Sequence, residues 1–135
     1  MSGLSVLEVQ KAIYAELNGD VSLGALVSGV FDRVREGTQY PYVVLGEAEA
    51  QHWQTVSHSG QEVSALVHVF SREGGRKECM EIMEQVYALL HEAELVLEGH
   101  SLIFMRFDGS DLELERDGLT YHGRMQFRLL VQAES

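Results

Sequence analysis

Between Tyr121 and Gln132 the chain alternates. Tyr121, Met125, Phe127, Leu129 and Val131 fall on one parity, and His122, Arg124, Gln126, Arg128 and Gln132 on the other. A period of two is the mark of a β-strand, because successive side chains leave opposite faces of the pleat. The segment is expected to be a strand with one buried face and one wet face.

Other β-rich runs supply pairing partners. Tyr40-Pro41-Tyr42-Val43-Val44-Leu45 is aromatic and β-branched, with its proline where a strand begins or lies on an edge. Residues 62–70 form a second run, and the polar stretch 54–61 between the two reads as the tip of a long protruding hairpin. Residues 95–97 and 102–107 flank a tight turn at Glu98-Gly99-His100-Ser101.

Helical spacing occurs in three places. Val6, Val9, Ile13 and Leu17 predict a helix over residues 5–17, stopped by Asn18-Gly19. Asp20 is placed to cap a short helix over residues 21–28, in which Leu23, Leu26 and Val27 cover the core and Gly29 ends it. Residues 31–39 then read as an exposed connection. After the break at residues 71–75, Cys79, Ile82, Met83, Val86 and Leu90 predict a long amphipathic helix ending near His91. The expected fold is therefore α+β: a mostly antiparallel sheet of four to five strands, with the long helix and one or two N-terminal helices on one face.

At 135 residues and 45% apolar composition, the chain is expected to be one domain with its own core over residues 1–135. Its single cysteine, Cys79, permits no internal bridge and fits a reducing compartment, and no basic start or apolar run marks a signal peptide. No run of about 18 apolar residues is available to span a membrane. Ten basic against 21 acidic residues give a net charge of −11. Extended nucleic-acid binding depends on lysine and arginine releasing counterions, so so acidic a chain is poorly suited to it.

Chemical motifs are sparse. His52 and His58 are six residues apart, the other four histidines are scattered, and Cys79 lacks a Cys or His at zinc-site spacing. Cys79 sits on the apolar stripe of its helix, the position of a small core hydrophobe, and no G-x-S-x-G string occurs. Glu47 and Glu49 fall two apart on a strand, as an acid-base pair would, and solvated edge charge explains them equally. Asp108, Asp111, Glu113, Glu115 and Asp117 lack the order of a calcium loop and read as a solvated, self-repelling strand or loop. Gly74-Gly75-Arg76-Lys77 is not a Walker loop, since no Ser or Thr follows the lysine. No catalytic, cofactor-binding or metal-ligating residue is assigned. What stands out is basic: Arg33 and Arg35 in one loop, with Arg72, Arg76 and Lys77 in another, put half of the positive residues into two loops of an acidic chain. They are the candidate interface residues, able to steer docking onto an acidic partner surface; unpartnered loop charge is the plain alternative.

Several strings, in order, span nearly the whole chain. They are Gln10-Lys11-Ala12-Ile13-Tyr14, Val30-Phe31-Asp32-Arg33-Val34, Tyr40-Pro41-Tyr42-Val43-Val44-Leu45-Gly46-Glu47 and Gly60-Gln61-Glu62. Val67-His68-Val69-Phe70-Ser71, Gly75-Arg76-Lys77-Glu78 and Asp117-Gly118-Leu119-Thr120-Tyr121-His122-Gly123 continue the set. In these the chain resembles the tail-completion family, the tail-terminator or tail-to-head joining proteins of long-tailed bacteriophages and gene transfer agents. The resemblance implies a non-catalytic virion protein without cofactor, assembled in the bacterial cytoplasm. Such proteins form a ring, commonly a hexamer, at the head-proximal end of the tail. The implied partners are other copies of the chain, the major tail tube protein and the head connector or stopper. DNA would pass through the channel without specific binding, and no membrane is involved. The residues alone leave two other readings open: a small cytosolic protein-binding module, and a metal-dependent enzyme using Glu47, Glu49 or the histidines.

Overall fold

The computed structural model describes residues 4–55 and 57–133. Along the chain the elements are α1 (Val6–Asn18), α2 (Val21–Gly24), β1 (Val30–Phe31), β2 (Tyr42–Gln54), β3 (Ser59–Ser71), α3 (Lys77–Leu90), β4 (His100–Leu114) and β5 (Tyr121–Ala133). The strands form one five-stranded sheet in the order β1-β2-β3-β5-β4. Every pairing is antiparallel except that of β1 with β2. The alternating segment is β5, held between β3 and β4 and paired with both.

One face of the sheet is covered by helices. Val63, Ala65, Val67 and Val69 of β3 and Met125, Phe127, Leu129 and Val131 of β5 share the buried parity. Against them pack Val9, Ile13 and Leu17 of α1 and Cys79, Ile82, Val86 and Leu90 of α3. The four-residue and three-residue spacings of these helix positions place each set on one stripe, as helical periodicity requires. At Gly123 α3 approaches closely: a β-carbon there would overlap Met83 Sδ, so the Met83 side chain would have to move. α1 is anchored at its start by Ser5, whose Oγ and N–H both donate to Gln61 Oε1 of β3 (2.6 and 3.0 Å).

The β2–β3 hairpin is long, 13 residues on each side. Its strands run further into the expected tip than composition suggested, to Gln54 and from Ser59, where Thr55 N–H donates to His58 O at 2.7 Å. Residue 56 of that tip lies outside the described residues. β5 backs β3 as far as Gly60, so the turn alone stands beyond the paired strands.

Three expectations are corrected. The helix expected over 21–28 stops at Gly24, and Leu26 is 41% exposed instead of covering the core. Glycine is a poor helix continuer, and downstream Ser28 N–H donates to Pro41 O while Val43 N–H donates to Gly29 O, drawing the chain into the sheet. For the same reason Phe31, expected in an exposed connection, belongs to β1, with its ring edge-on to Tyr42 at 6.1 Å. Finally, the expected arm 95–97 is no strand beyond a single bridge from Leu97 to His100. β4 instead continues through the acidic run to Leu114, its alternation broken by irregularities at Leu102/Phe104 and Phe107/Gly109.

The predicted cap on α2 is present: Asp20 Oδ2 accepts the Leu23 N–H at 2.8 Å. Asp20→Ala is expected to lower unfolding free energy by about 1 kcal/mol, within about 0.5–2 for such caps. Urea denaturation measures it, and a loss below about 0.3 kcal/mol would mean that the turn holds itself without the cap.

Candidate interaction surfaces

The uncovered face of the sheet is not uniformly wet. At the end where β2 and β5 begin, Tyr42, Phe70, His122 and Glu113 lie in one row across β2, β3, β5 and β4, and Val44, His68, Arg124 and Asp111 form the next. Phe70 stacks on His122 with ring centroids 4.4 Å apart, and Tyr42 packs on Phe70 at 5.4 Å. Burial first, then the neighbouring Tyr40 hydroxyl, push Tyr42 up to about 12, so it stays a neutral phenol.

Within this aromatic patch His68 Nδ1 meets His122 Nε2 at 2.7 Å, within hydrogen-bond distance. His68 Nε2 faces Glu47 Oε1 at 3.2 Å, and His122 Nδ1 faces Glu115 Oε2 at 3.5 Å. The two imidazole side chains are only 15% and 14% exposed, unlike the wet histidine expected from alternation. Gly46 makes the room, since a β-carbon there would overlap the His68 ring. Burial, and then the adjoining His68, hold His122 below the usual histidine range against the pull of Glu115.

The sign of the resulting pH dependence follows. With the folded pKa of His122 below its ordinary 6.5, the unfolded chain binds more protons in the interval between the two values. Its contribution is complete above pH 6.5 and is lost as pH falls through that interval. Stability is therefore expected to drop between pH 7.5 and 5.5 in the wild-type chain, and less steeply in His122→Phe, which keeps a ring on Phe70. Urea midpoints at the two pH values test this; parallel slopes would refute it.

The basic candidates fall into two separate groups. Arg33 and Arg35 are exposed in the loop after β1. Arg72, Arg76 and Lys77 lie between β3 and the start of α3. Arg72 is committed internally: its guanidinium lies 4.2 Å from the Tyr40 ring centroid, Nε donates to Thr120 Oγ1 at 2.8 Å, and Asp117 is 3.3 Å away. Asp117 also accepts from Thr120 Oγ1 and from the Leu119 and Thr120 N–H groups, which together hold it down to about 2. Arg76 lies over Tyr121 at 5.3 Å, and Lys77 opens α3 exposed.

Cys79, by contrast, is buried in the core. Burial pushes the Cys79 thiol up to about 11 against the core, where no thiolate forms near neutral pH. Glu47 sits at the irregularity in β2 against His68, and Glu49 is opposite Ser64 on β3. His52 and His58 are exposed near the hairpin turn, bonded to Gln54 and Ser57. Among the described residues, no three His, Cys, Asp or Glu side chains converge on a possible metal position. No helix is long and apolar enough to cross a membrane among the residues described.

A surface the sequence reading passed over lies on α1. Beside its buried stripe, Leu4, Leu7 and Tyr14 are 79%, 66% and 39% exposed and line an apolar groove with Leu45 at the β2 edge. Their spacing of three and seven residues is legible as a second stripe once the first is known to be buried.

These surfaces belong to a known architecture. Residues 11–132, from the middle of α1 to the last residues of β5, match the family described as tail completion protein gp17. The chain belongs to that family. Among tail completion proteins, gp17 of Bacillus phage SPP1 is 27% identical over 125 residues, covering 91% of both chains. In solved structures, a chain in the virion of a native gene transfer agent particle shares the fold with a TM-score of 0.89. That likeness covers 98% of this chain and 100% of that one, at 24% identity. The structure of SPP1 gp17 matches with a TM-score of 0.67 over 96% of each chain, also at 24% identity. The tail completion family accounts for the resemblance carried by the strings.

Proposed function

We propose that this chain is a structural component of a phage-like tail, forming a ring, commonly of six copies, at the head-proximal end. The ring stops growth of the tail tube and presents a face to the head connector. The observation that carries this reading is the family match over residues 11–132, which runs from the middle of α1 to the end of β5 and so is not an appended motif.

The physical properties support the role. A net charge of −11 disfavours sticking to phosphate, so DNA slides through such a ring without specific binding. The exposed Arg33, Arg35, Arg76 and Lys77 are available to steer docking on acidic partner surfaces, tail tube protein or connector, whereas Arg72 acts by fixing the β4–β5 turn.

The test is removal of the gene from a phage or gene transfer agent that encodes it, with the particles inspected by electron microscopy. Tails of uncontrolled length and heads without tails are expected, and the wild-type gene supplied in trans restores joined particles. Normal tail length and normal joining without the protein would overturn the proposal.

A further inference from the structure

Four titratable side chains cross the uncovered face of the sheet in one line. Glu47 stands on β2, His68 on β3, His122 on β5 and Glu115 directly after β4. His68 Nε2 lies 3.2 Å from Glu47 Oε1, His68 Nδ1 lies 2.7 Å from His122 Nε2, and His122 Nδ1 lies 3.5 Å from Glu115 Oε2. A carboxylate only accepts, and a neutral imidazole has one N–H and one bare nitrogen. Two neutral rings therefore bring two protons to three contacts, and one contact stays empty.

Geometry decides which. If His68 Nδ1–H filled the central contact, bare His68 Nε2 would face the Glu47 carboxylate at 3.2 Å, lone pair against negative charge. If His122 Nε2–H fills it, His68 Nε2–H is free to donate to Glu47, and the bare nitrogen is His122 Nδ1, whose carboxylate stands further off. The second arrangement makes the two contacts within hydrogen-bond range and leaves the long one empty. The Glu47 carboxyl agrees with it, being held below the usual carboxylate range first by its own backbone N–H and then by His68.

Charges of both signs surround His122. Glu113 of β4 lies opposite it in register, and Arg124, two residues along β5, pairs with Asp111 of β4 at 3.9 Å. From β2 come Glu47, through His68, and the Tyr42 phenol, through Phe70; beyond Glu115 the turn carries Asp117 with Arg72. Glu115 and Glu113 favour a proton on His122, while burial, His68 and Arg124 oppose it.

We infer that these side chains form an ordered proton chain, Glu47 accepting from His68 and His68 from His122, in which acid fills the open His122 Nδ1 and latches Glu115 to β5. Glu115 begins the β4–β5 turn: its N–H donates to Thr120 O at 2.7 Å, and its carbonyl accepts from Gly118 N–H at 3.0 Å. Burying the added charge costs global stability, in the sense worked out above, while the turn gains a side-chain bond to the sheet. This inference does not rest on the tail assignment.

The experiment follows the imidazole nitrogens of the ¹⁵N-labelled full chain by NMR. At pH 7.5 both rings are expected to carry their proton on Nε2, and toward pH 5.5 His122 Nδ1 is the nitrogen of that ring that gains one. Glu115→Gln is expected to move the His122 midpoint down by about one pH unit, the low end for loss of an adjacent opposite charge. Glu113→Gln, which acts only through its field, is expected to move it less. Amide exchange at Glu115 and Gly118, corrected for its intrinsic pH dependence, should slow relative to Val67 on acidification in wild type and not in Glu115→Gln. A His122 proton on Nδ1 at pH 7.5 would overturn the order of the chain. An unmoved midpoint in Glu115→Gln, equal shifts from the two variants, or turn amides indifferent to pH would overturn the latch.

Discussion

Phe127→Ala is expected to cost about 3–5 kcal/mol of unfolding free energy, the range for deleting a fully buried aromatic ring. Phe127 has no exposed surface and is among the largest fully buried side chains. It stands in the middle of β5, opposite Ala65 of β3 and Phe107 of β4, with the Phe107 ring edge-on at 5.7 Å. Phe107 in turn meets Tyr87 of α3 at 5.2 Å. Removing the Phe127 ring therefore opens a hole where three strands and the long helix converge, and their backbones are too constrained by strand pairing to close it. Domains have about 5–15 kcal/mol in all, so the loss is a large share of the total. Guanidinium unfolding measures the loss, and a value under about 1 kcal/mol would show that the region collapses freely.

Gly60→Ala is expected to cost about 1–3 kcal/mol, the scale of forced overpacking. A β-carbon at this position would overlap the Val131 carbonyl oxygen and come within 3.0 Å of Gln132 Cα. Both are backbone atoms of the paired strand, so no rotamer change relieves the clash and β3 must part from β5. Hydrogen exchange should quicken locally, at Gln61 and Val131, before it does so at Val67 and Met125. Gly109→Ala is the control, because nothing lies within 4 Å of a β-carbon there and its backbone needs no glycine; a change within about 0.5 kcal/mol is expected. Equal effects from the two substitutions would remove the basis for assigning Gly60 to close strand packing.

The elements that could be read from the chain are those whose signal is local. The period of two in β5 and the helical spacing from Cys79 to Leu90 each repeat over several residues, and burial follows them. The Asp20 cap is local in the same way. β1 is two residues long and carries no period, so Phe31 could be placed only by knowing that Val44 lies beside it. β4 has a period, but two irregularities move it off register, and the acidic side of an edge strand imitates a loop. The His68–His122 pair is separated by 54 positions and exists because β3 and β5 are neighbours, which is a fact of topology. Arg72 was legible as a charge in a loop, while its engagement with Tyr40 and Thr120 was not, since those partners arrive from two other segments. The family match adds what periodicity could not, an architecture shared over residues 11–132.

β5 is made after β3 and β4 yet lies between them. During synthesis, then, the two earlier strands wait with facing edges unsatisfied, and the sheet closes only when the later segment slots in and joins its longest-range partners. Folding is expected to be a late, all-at-once event, following emergence of the last strand from the ribosome and not growing with the chain. Until that moment the nascent chain offers unclaimed backbone to any neighbour, which makes ribosome-bound intermediates the stage most in need of a chaperone.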